Sequence, residues 1–253
     1  MGVIKTAVYG ANGKMGQLLC KTILASEDFE LSFGVDRAPD RFDYPYPIYE
    51  NAYAFDGKID LLIDFSHTSN IESILDFTTS RGIHTLIATT GLTDDHMAKI
   101  LEASKKIPIL CASNLSFGIN VITRLLSQVA KSLNEGFDIE IIEKHHNKKI
   151  DAPSGTAYLL ANTINHALDD TMTLTYGRHG SDCPRKTNEI GIHTVRGGSI
   201  SGEHTILFAG EQELIEIKHT ALSKDLFAQD ALKAGKLLLT KPAGLYTMQD
   251  LLE

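Results

Sequence analysis

The sequence predicts an α/β chain in two parts: a doubly wound parallel sheet, then an α+β region on an open mixed sheet. Three observations predict it. Strand and helix signals alternate through the first 115 residues. A glycine-rich turn, Gly10-Ala11-Asn12-Gly13-Lys14-Met15-Gly16, joins the first strand signal to the first helix signal. From Ile139 onward strand signals succeed one another, with one clear helix, Thr156–Leu168, among them. Alternation of the first kind buries a parallel sheet between helices, and a succession of strands makes a mixed or antiparallel sheet with one face covered.

The elements follow in order. Val3–Tyr9 is an apolar run ending at glycine, and Met15, Leu18, Leu19 and Ile23 then recur at helical spacing. Phe29, Leu31, Phe33 and Val35 alternate with Glu30, Ser32 and Gly34, the period of a strand. Ile59–Phe65 is a further apolar run, and Thr68–Arg81 reads as a helix closed by Gly82. Leu86–Thr90 is expected as a strand, Thr93–Lys105 as a helix and Ile107–Ala112 as a strand. Gly118–Leu133 is a longer amphipathic helix. Strands at Ile139–Ile142, Ile190–Val195, His204–Ala209 and Glu213–His219 come next. Leu226–Leu239 is helical again, and the tail beyond it returns to the first part. The expected domains are 1–115 with 226–253, and 116–225.

Composition narrows the function. A formal charge of −8, with 24 Lys and Arg, leaves no large basic face for nucleic acid or anionic membrane. No apolar run approaches the roughly 20 residues of a membrane span. Cys20, Cys111 and Cys183 are odd in number and far apart, which suits neither a disulfide framework nor a zinc pattern. A reducing cytoplasm is expected.

The glycine turn carries the first chemistry. Glycines allow a tight turn and close approach of backbone to a pyrophosphate, whose charge then faces the helix N-terminus. The second strand ends at Asp36, 20 residues after Gly16, where an acidic residue takes the ribose hydroxyls of a dinucleotide. A Rossmann-like domain is therefore expected, with a plain structural turn as the alternative. Asp36 favours NADH, and Arg37 could stack on adenine or meet a 2′-phosphate. NADH with NADPH tolerated is the expectation.

Glu143-Lys144-His145-His146-Asn147-Lys148-Lys149-Ile150-Asp151-Ala152-Pro153-Ser154-Gly155-Thr156-Ala157 is the most unusual stretch. It leaves a strand with two histidines and three lysines and enters a helix. Pro153 and Ser154 suit the start of that helix, and amides near Gly155 and Thr156 favour an anion. Cations at His146 and Lys149 would converge on the same charge, which fits a small dianion. A protonated His145 or Lys149 can deliver a proton as hydride arrives. Adjacent histidines point apart and no third ligand lies at zinc spacing, so no metal is expected. Glu143 or Glu140 could orient nearby cations, and a surface role for Glu140 is the alternative. Arg196 is read evenly as a substrate contact or a structural hydrogen-bonding group, His204 as structural.

Beyond these two segments, Asp64-Phe65-Ser66, Ala88-Thr89-Thr90-Gly91, Ser113–Asn120, Val195–Gly198, Gly202–Thr205 and Gly244–Tyr246 complete a pattern that resembles the dihydrodipicolinate (4-hydroxy-tetrahydrodipicolinate) reductase family over nearly the whole chain. The resemblance implies NAD(P)H-dependent reduction of 4-hydroxy-tetrahydrodipicolinate to tetrahydrodipicolinate, in lysine and diaminopimelate biosynthesis, by a homotetramer. It implies a dinucleotide-binding domain at 1–115 with 226–253, and a substrate-binding and tetramerisation domain at 116–225. It places the proton donor at His145 and a second catalytic residue at Lys149. The substrate carboxylates fall to His146, Lys149, Ser154, Gly155 and Thr156. The nicotinamide falls to Ala88, Thr89, Thr90, Ala112, Ser113, Asn114 and Leu115, with Phe65 beside the cofactor and Asp36 on the adenosine. Ala88 stands where the family commonly has Gly, and Asp36 where Glu is frequent; both bear on cofactor preference.

Two other readings remain open on the residues. Cys111, at a strand end, would be the nucleophile of a thioester-forming aldehyde dehydrogenase, though its apolar run Ile107–Ala112 suits a structural thiol. A non-enzymatic NAD(H)-binding subunit is the other, and intact His145, Lys149 and Ser154-Gly155-Thr156 speak against it.

Overall fold

A computed structural model describes residues 2–252. Along the chain run β1 (Ile4–Tyr9), α1 (Lys14–Leu24), β2 (Phe29–Val35), β3 (Ile48–Tyr49), β4 (Leu61–Asp64), α2 (Ile71–Arg81), β5 (His84–Ile87), α3 (Asp94–Ser104) and β6 (Pro108–Cys111). Then come α4 (Phe117–Ser132), β7 (Asp138–His145), α5 (Gly155–Ala167), β8 (Thr173–Tyr176), β9 (Glu189–Arg196), β10 (Gly202–Ala209), β11 (Leu214–Ala221), α6 (Asp225–Leu238) and β12 (Gly244–Tyr246). They form two compact units, Met1–Phe117 with Asp225–Glu253, and Gly118–Lys224.

The first unit holds a seven-stranded sheet in the order β12-β6-β5-β4-β1-β2-β3, every neighbouring pair parallel. Its strands are apolar because both faces are covered. Ala7, Phe33 and Leu62 pack with Ile74 and Phe77 of α2, while Val8, Leu31 and Ile63 pack with Leu19 and Ile23 of α1. α6 joins the latter side through the small residues Ala228, Ala231 and Ala234. Each fully buried Leu, Ile or Phe side chain contributes about 1.5–3 kcal/mol of burial. The order reverses between β1 and β4, so the carboxyl ends of those strands open a crevice, the usual ligand position in such sheets.

The second unit is a five-stranded mixed sheet in the order β11-β10-β7-β9-β8. β7–β10 and β10–β11 are antiparallel, β7–β9 and β8–β9 parallel. Ile139, Ile141, Ile190, Ile192, Ile206 and Phe208 pack under Leu126 and Ala130 of α4 and Leu160 and Ile164 of α5. The alternate residues Ile142, Val195, Leu207 and Leu214 point the other way, with Val195 and Leu214 exposed. The fold is the predicted one: a Rossmann-like parallel sheet plus an α+β unit.

Some boundaries differ. The strand expected over 86–90 stops at Ile87; Ala88 N–H still donates to the Asp64 carbonyl at 2.9 Å, and the chain then leaves the sheet. The helix expected from Thr68 begins with a 3₁₀ turn, Thr68–Asn70, and ends at Gly82 in the left-handed region as expected. β3, β8 and β12 have two to four residues each, too short for periodicity to mark.

Candidate active site

In the first unit the glycine turn sits in the β1/β4 crevice. Gly10 adopts φ +78°, and a Cβ there would lie 2.8 Å from the Phe65 carbonyl oxygen. The Gly10 and Ala11 amides donate to the Val35 carbonyl at 2.8 and 3.1 Å, which fixes the turn against β2. Gly13 is the N-cap of α1 and no side chain caps it, so the positive helix end is presented to an anion. Asp36 Oδ2 accepts the Asn12 N–H at 3.0 Å and Oδ1 the Ala38 N–H at 3.3 Å. Each carboxylate oxygen keeps a further lone pair, so Asp36 can hold the turn and still accept from ribose hydroxyls. Asp36, Arg37, Phe65 and His67 line a cleft of about 360 Å³ with Gly10 and Gly13. The residues fit a dinucleotide: backbone at the phosphate position, a carboxylate at the ribose position.

Arg37, exposed on the lining of the cleft, donates through Nη2 to Ser69 Oγ at 2.8 Å, one of its five N–H groups. His67 Nδ1 accepts the Ser69 N–H at 3.2 Å and caps the 3₁₀ turn, so it has a structural partner as well as a place on the cleft. Ala88 and Thr89 are buried just beyond β5; Thr89 Oγ1 donates to Asp64 Oδ2 at 2.7 Å. Asp64 also accepts Ser66 N–H and Oγ–H at 2.8 and 2.6 Å. Burial pushes its carboxyl pKa up, against these hydrogen bonds. The fully buried Asp64 thereby ties the ends of β4 and β5 together. Ala112, Ser113, Asn114 and Leu115 follow β6 at the same carboxyl edge.

In the second unit β7 runs on through His145, three residues past the expected end. Glu143 and His145 fall on its covered face by alternation, and Glu143 is fully buried. His145 Nδ1 lies 2.6 Å from Glu143 Oε2. Arg196 donates to both Glu143 oxygens at 2.8 Å, and the Ser154 N–H donates to Oε1 at 3.0 Å. Burial alone would raise the Glu143 pKa; the Arg196 and His145 contacts outweigh it and hold the carboxyl below the usual range. His145 is shifted down, chiefly by burial, with Glu143 opposing and the Lys149 and Arg196 charges reinforcing.

The chain turns after β7, with Lys149 N–H donating to the His146 carbonyl at 3.1 Å, and the Lys149 charge acts on His145. Lys149 Nζ donates to Asp151 Oδ1 at 2.8 Å. Half-buried His146 has an Nδ1 with no hydrogen-bond partner among the described residues. Ser154 caps α5, its Oγ accepting the Ala157 N–H at 3.1 Å. Exposed Gly155 and half-buried Thr156 begin that helix, and a Cβ on Gly155 would meet no protein atom within 4 Å. The site thus gathers an imidazole, an ammonium and a positive helix end, which suits a small dianion.

Family models for the N-terminus and the C-terminus of dihydrodipicolinate reductase match residues 4–115 and 118–252. The chain belongs to the dihydrodipicolinate reductase family. The 4-hydroxy-tetrahydrodipicolinate reductase of Caldanaerobacter subterraneus subsp. tengcongensis is 45% identical to it over 251 residues, 99% of each chain. That of Clostridium tetani is 43% identical over 250 residues, 99% of this chain and 97% of its own. A dipicolinate-bound dihydrodipicolinate reductase from Paenisporosarcina sp. TG-14 shares the fold at TM-score 0.79 and 24% identity, with 97% of each chain covered.

For a dihydrodipicolinate reductase, several partners lay outside the sequence reading or were left open by it. Arg196 is engaged by Glu143, and by the Asp151 carbonyl at 2.6 Å, which favours the structural alternative. His204 is buried, its Nε2 3.1 Å from Ser154 Oγ and its ring edge-on to His145 at 5.2 Å. Burial, with His145 beside it, pulls its pKa down to about 4, so it is neutral at physiological pH. Glu140 has no plain surface role: it accepts from Arg178, Arg185 and His193 at 3.0, 3.1 and 2.7 Å on the other face of the sheet. Cys111 is half-buried with its pKa raised to about 11 by burial and the Asp64 charge, which keeps it a thiol rather than a nucleophile. Cys111→Ser is expected to leave the rate of NADH oxidation close to wild type; a collapse of that rate would revive the thioester reading.

Proposed function

We propose that the chain reduces 4-hydroxy-tetrahydrodipicolinate to tetrahydrodipicolinate with NADH, NADPH being tolerated, in lysine and diaminopimelate biosynthesis, as a cytoplasmic homotetramer. The observation that carries this reading is the convergence of His145, Lys149 and the α5 N-terminus in one cluster of the second unit, in a chain of this family. Its substrate domain is 116–225 and its dinucleotide domain 1–115 with 226–253. The apolar residues on the second sheet's other face, Ile142, Val195, Leu207 and Leu214, suit burial against copies of the chain. Three free cysteines suit a reducing compartment. No helix among the described residues is long and apolar enough to cross a membrane.

Bound NAD(P)H supplies the hydride; the 4-hydroxyl leaves as water, and one proton enters with the hydride. His146, Lys149, Gly155 and Thr156, with Ser154 ending the approach, hold the two carboxylates. His145 donates the proton. In the free protein burial favours the neutral imidazole. Two carboxylates arriving beside it favour the imidazolium, so the acid forms where it is used. Lys149 offsets the negative charge that arrives with hydride.

The test follows absorbance near about 340 nm, where reduced nicotinamides absorb, with substrate made in place from pyruvate and aspartate semialdehyde. NADH consumption dependent on both precursors is expected. No consumption would overturn the proposal. With both cofactors, kcat/KM is expected to be higher for NADH, because the Asp36 carboxylate repels a 2′-phosphate; a strong NADPH preference would overturn that part alone.

A further inference from the structure

The second unit buries a carboxylate that the reduction, as described, does not use. Glu143 lies in the β7 core face with no exposed surface. Five donors surround it: Arg196 Nη1 and Nη2 at 2.8 Å, Ser154 N–H at 3.0 Å, Thr194 Oγ1 at 3.2 Å and His145 Nδ1 at 2.6 Å. They come from three elements, β7, β9 and the start of α5. A carboxylate with a bidentate arginine and a backbone amide is already locked, and an ionised carboxylate only accepts. The hydrogen on the fifth contact must therefore sit on Nδ1 of His145, which leaves Nε2 as the ring nitrogen able to exchange a proton. Nε2 faces Gly202 of β10, 3.2 Å from where a Cβ would stand there.

We propose that Glu143 is a positioning residue for the reduction: clamped by Arg196, it fixes the tautomer and ring plane of His145 so that Nε2 is the atom that delivers the proton. The inference rests on His145 being the donor. Its physical content is twofold. The Glu143 charge favours the imidazolium over the neutral ring, against burial and against the cations Lys149 and Arg196. The buried geometry removes the ring flip that would turn Nε2 away. His204, packed edge-on from β10, is neutral and does not compete for the proton. His219, opposite His204 in the β10–β11 register, is the next titratable group on that side.

A purely structural Glu143 would tie β7, β9 and α5 together and nothing more. The two roles separate in the pH profile. In the positioning role, kcat falls as pH rises through the His145 pKa of the enzyme–substrate complex. Glu143→Gln removes the charge while keeping the shape, so this alkaline limb moves to lower pH, by about one unit or more. At neutral pH kcat falls on the order of 10²-fold, with KM for the dicarboxylate little changed. Glu143→Asp keeps the charge and holds the limb nearer wild type. An alkaline limb that stays in place in an active, folded Glu143→Gln overturns the proposal, whatever happens to Tm. Should Glu143→Gln not fold, ¹⁵N NMR of the wild-type side chain decides, with His145 assigned by its loss in His145→Gln. Neutral His145 protonated on Nδ1 is expected, and protonation on Nε2 overturns the proposal. The NMR arm needs no substrate: wild-type enzyme that oxidises no NADH refutes the function, while an unmoved limb in an active enzyme refutes only the positioning role.

Discussion

Lys149→Ala is expected to lower kcat on the order of 10²–10³-fold and to raise KM for the dicarboxylate, with Tm unchanged. Hydride addition brings negative charge to a substrate that already carries two carboxylates. Lys149 is about four-fifths buried, and its charge acts on His145. A largely buried charge placed before the reaction acts where water would screen it poorly, which makes such groups large contributors to rate. Stability is a separate matter. The resting partner of Lys149 is Asp151, whose side chain is 58% exposed. Exposed pairs of that kind contribute at most about 1 kcal/mol, so loss of the amine leaves the fold intact. Lys149→Arg sharpens the assignment. Arginine keeps the charge and does not release its proton, so it is expected to recover much of KM and kcat if Lys149 acts by charge. Recovery of KM alone would move the proton donation from His145 to Lys149. A near-normal kcat in Lys149→Ala would remove Lys149 from the site.

How much of this was legible before the structure depended on how local the physics is. Gly10–Gly16 could be read because a turn, a helix start and a backbone approach are all set within seven residues. Asp36 followed from its spacing, 20 residues after Gly16 at the end of the second strand. Ser154 was a helix cap in the sequence and is one in the structure. The shell around His145 was less legible. Glu143 was among the candidates, but its partners arrive through sheet register. Parallel pairing of β7 with β9 sets His145 opposite Arg196, and antiparallel pairing with β10 sets Glu143 opposite His204. A slip of one residue would send each of these side chains to the other face. No single-sequence pattern fixes such a register. The same holds for Glu140, whose three partners, Arg178, Arg185 and His193, come from β9 and the loop before it.

Gly16→Ala is expected to weaken NADH binding by at least about tenfold, or 1.4 kcal/mol, and to lower Tm. A Cβ at Gly16 would stand 2.0 Å from the Gly10 carbonyl oxygen, 2.8 Å from its carbon and 2.9 Å from the Ala11 Cα. All three are backbone atoms, so no side-chain rotation relieves them. The first turn of α1 must instead move away from the end of β1. That movement strains the Gly13 N–H bond to the Gly10 carbonyl, 2.9 Å, and the Asn12 N–H bond to Asp36, 3.0 Å. Those two bonds hold the glycine turn and Asp36 in place, the groups proposed to meet phosphate and ribose. Alanine favours a helix over glycine by about 1 kcal/mol, which works in the opposite direction. Overpacking against fixed atoms costs about 1–3 kcal/mol or more and outweighs it. Gly13→Ala provides the scale: its Cβ would meet a single atom, the Gly10 oxygen, at 3.1 Å, a contact that a few tenths of an ångström relieve. Fluorescence titration with NADH is therefore expected to rank wild type first, then Gly13→Ala, then Gly16→Ala. Gly16→Ala binding NADH as wild type does would mean that the close approach of α1 to β1 is not what shapes the cradle.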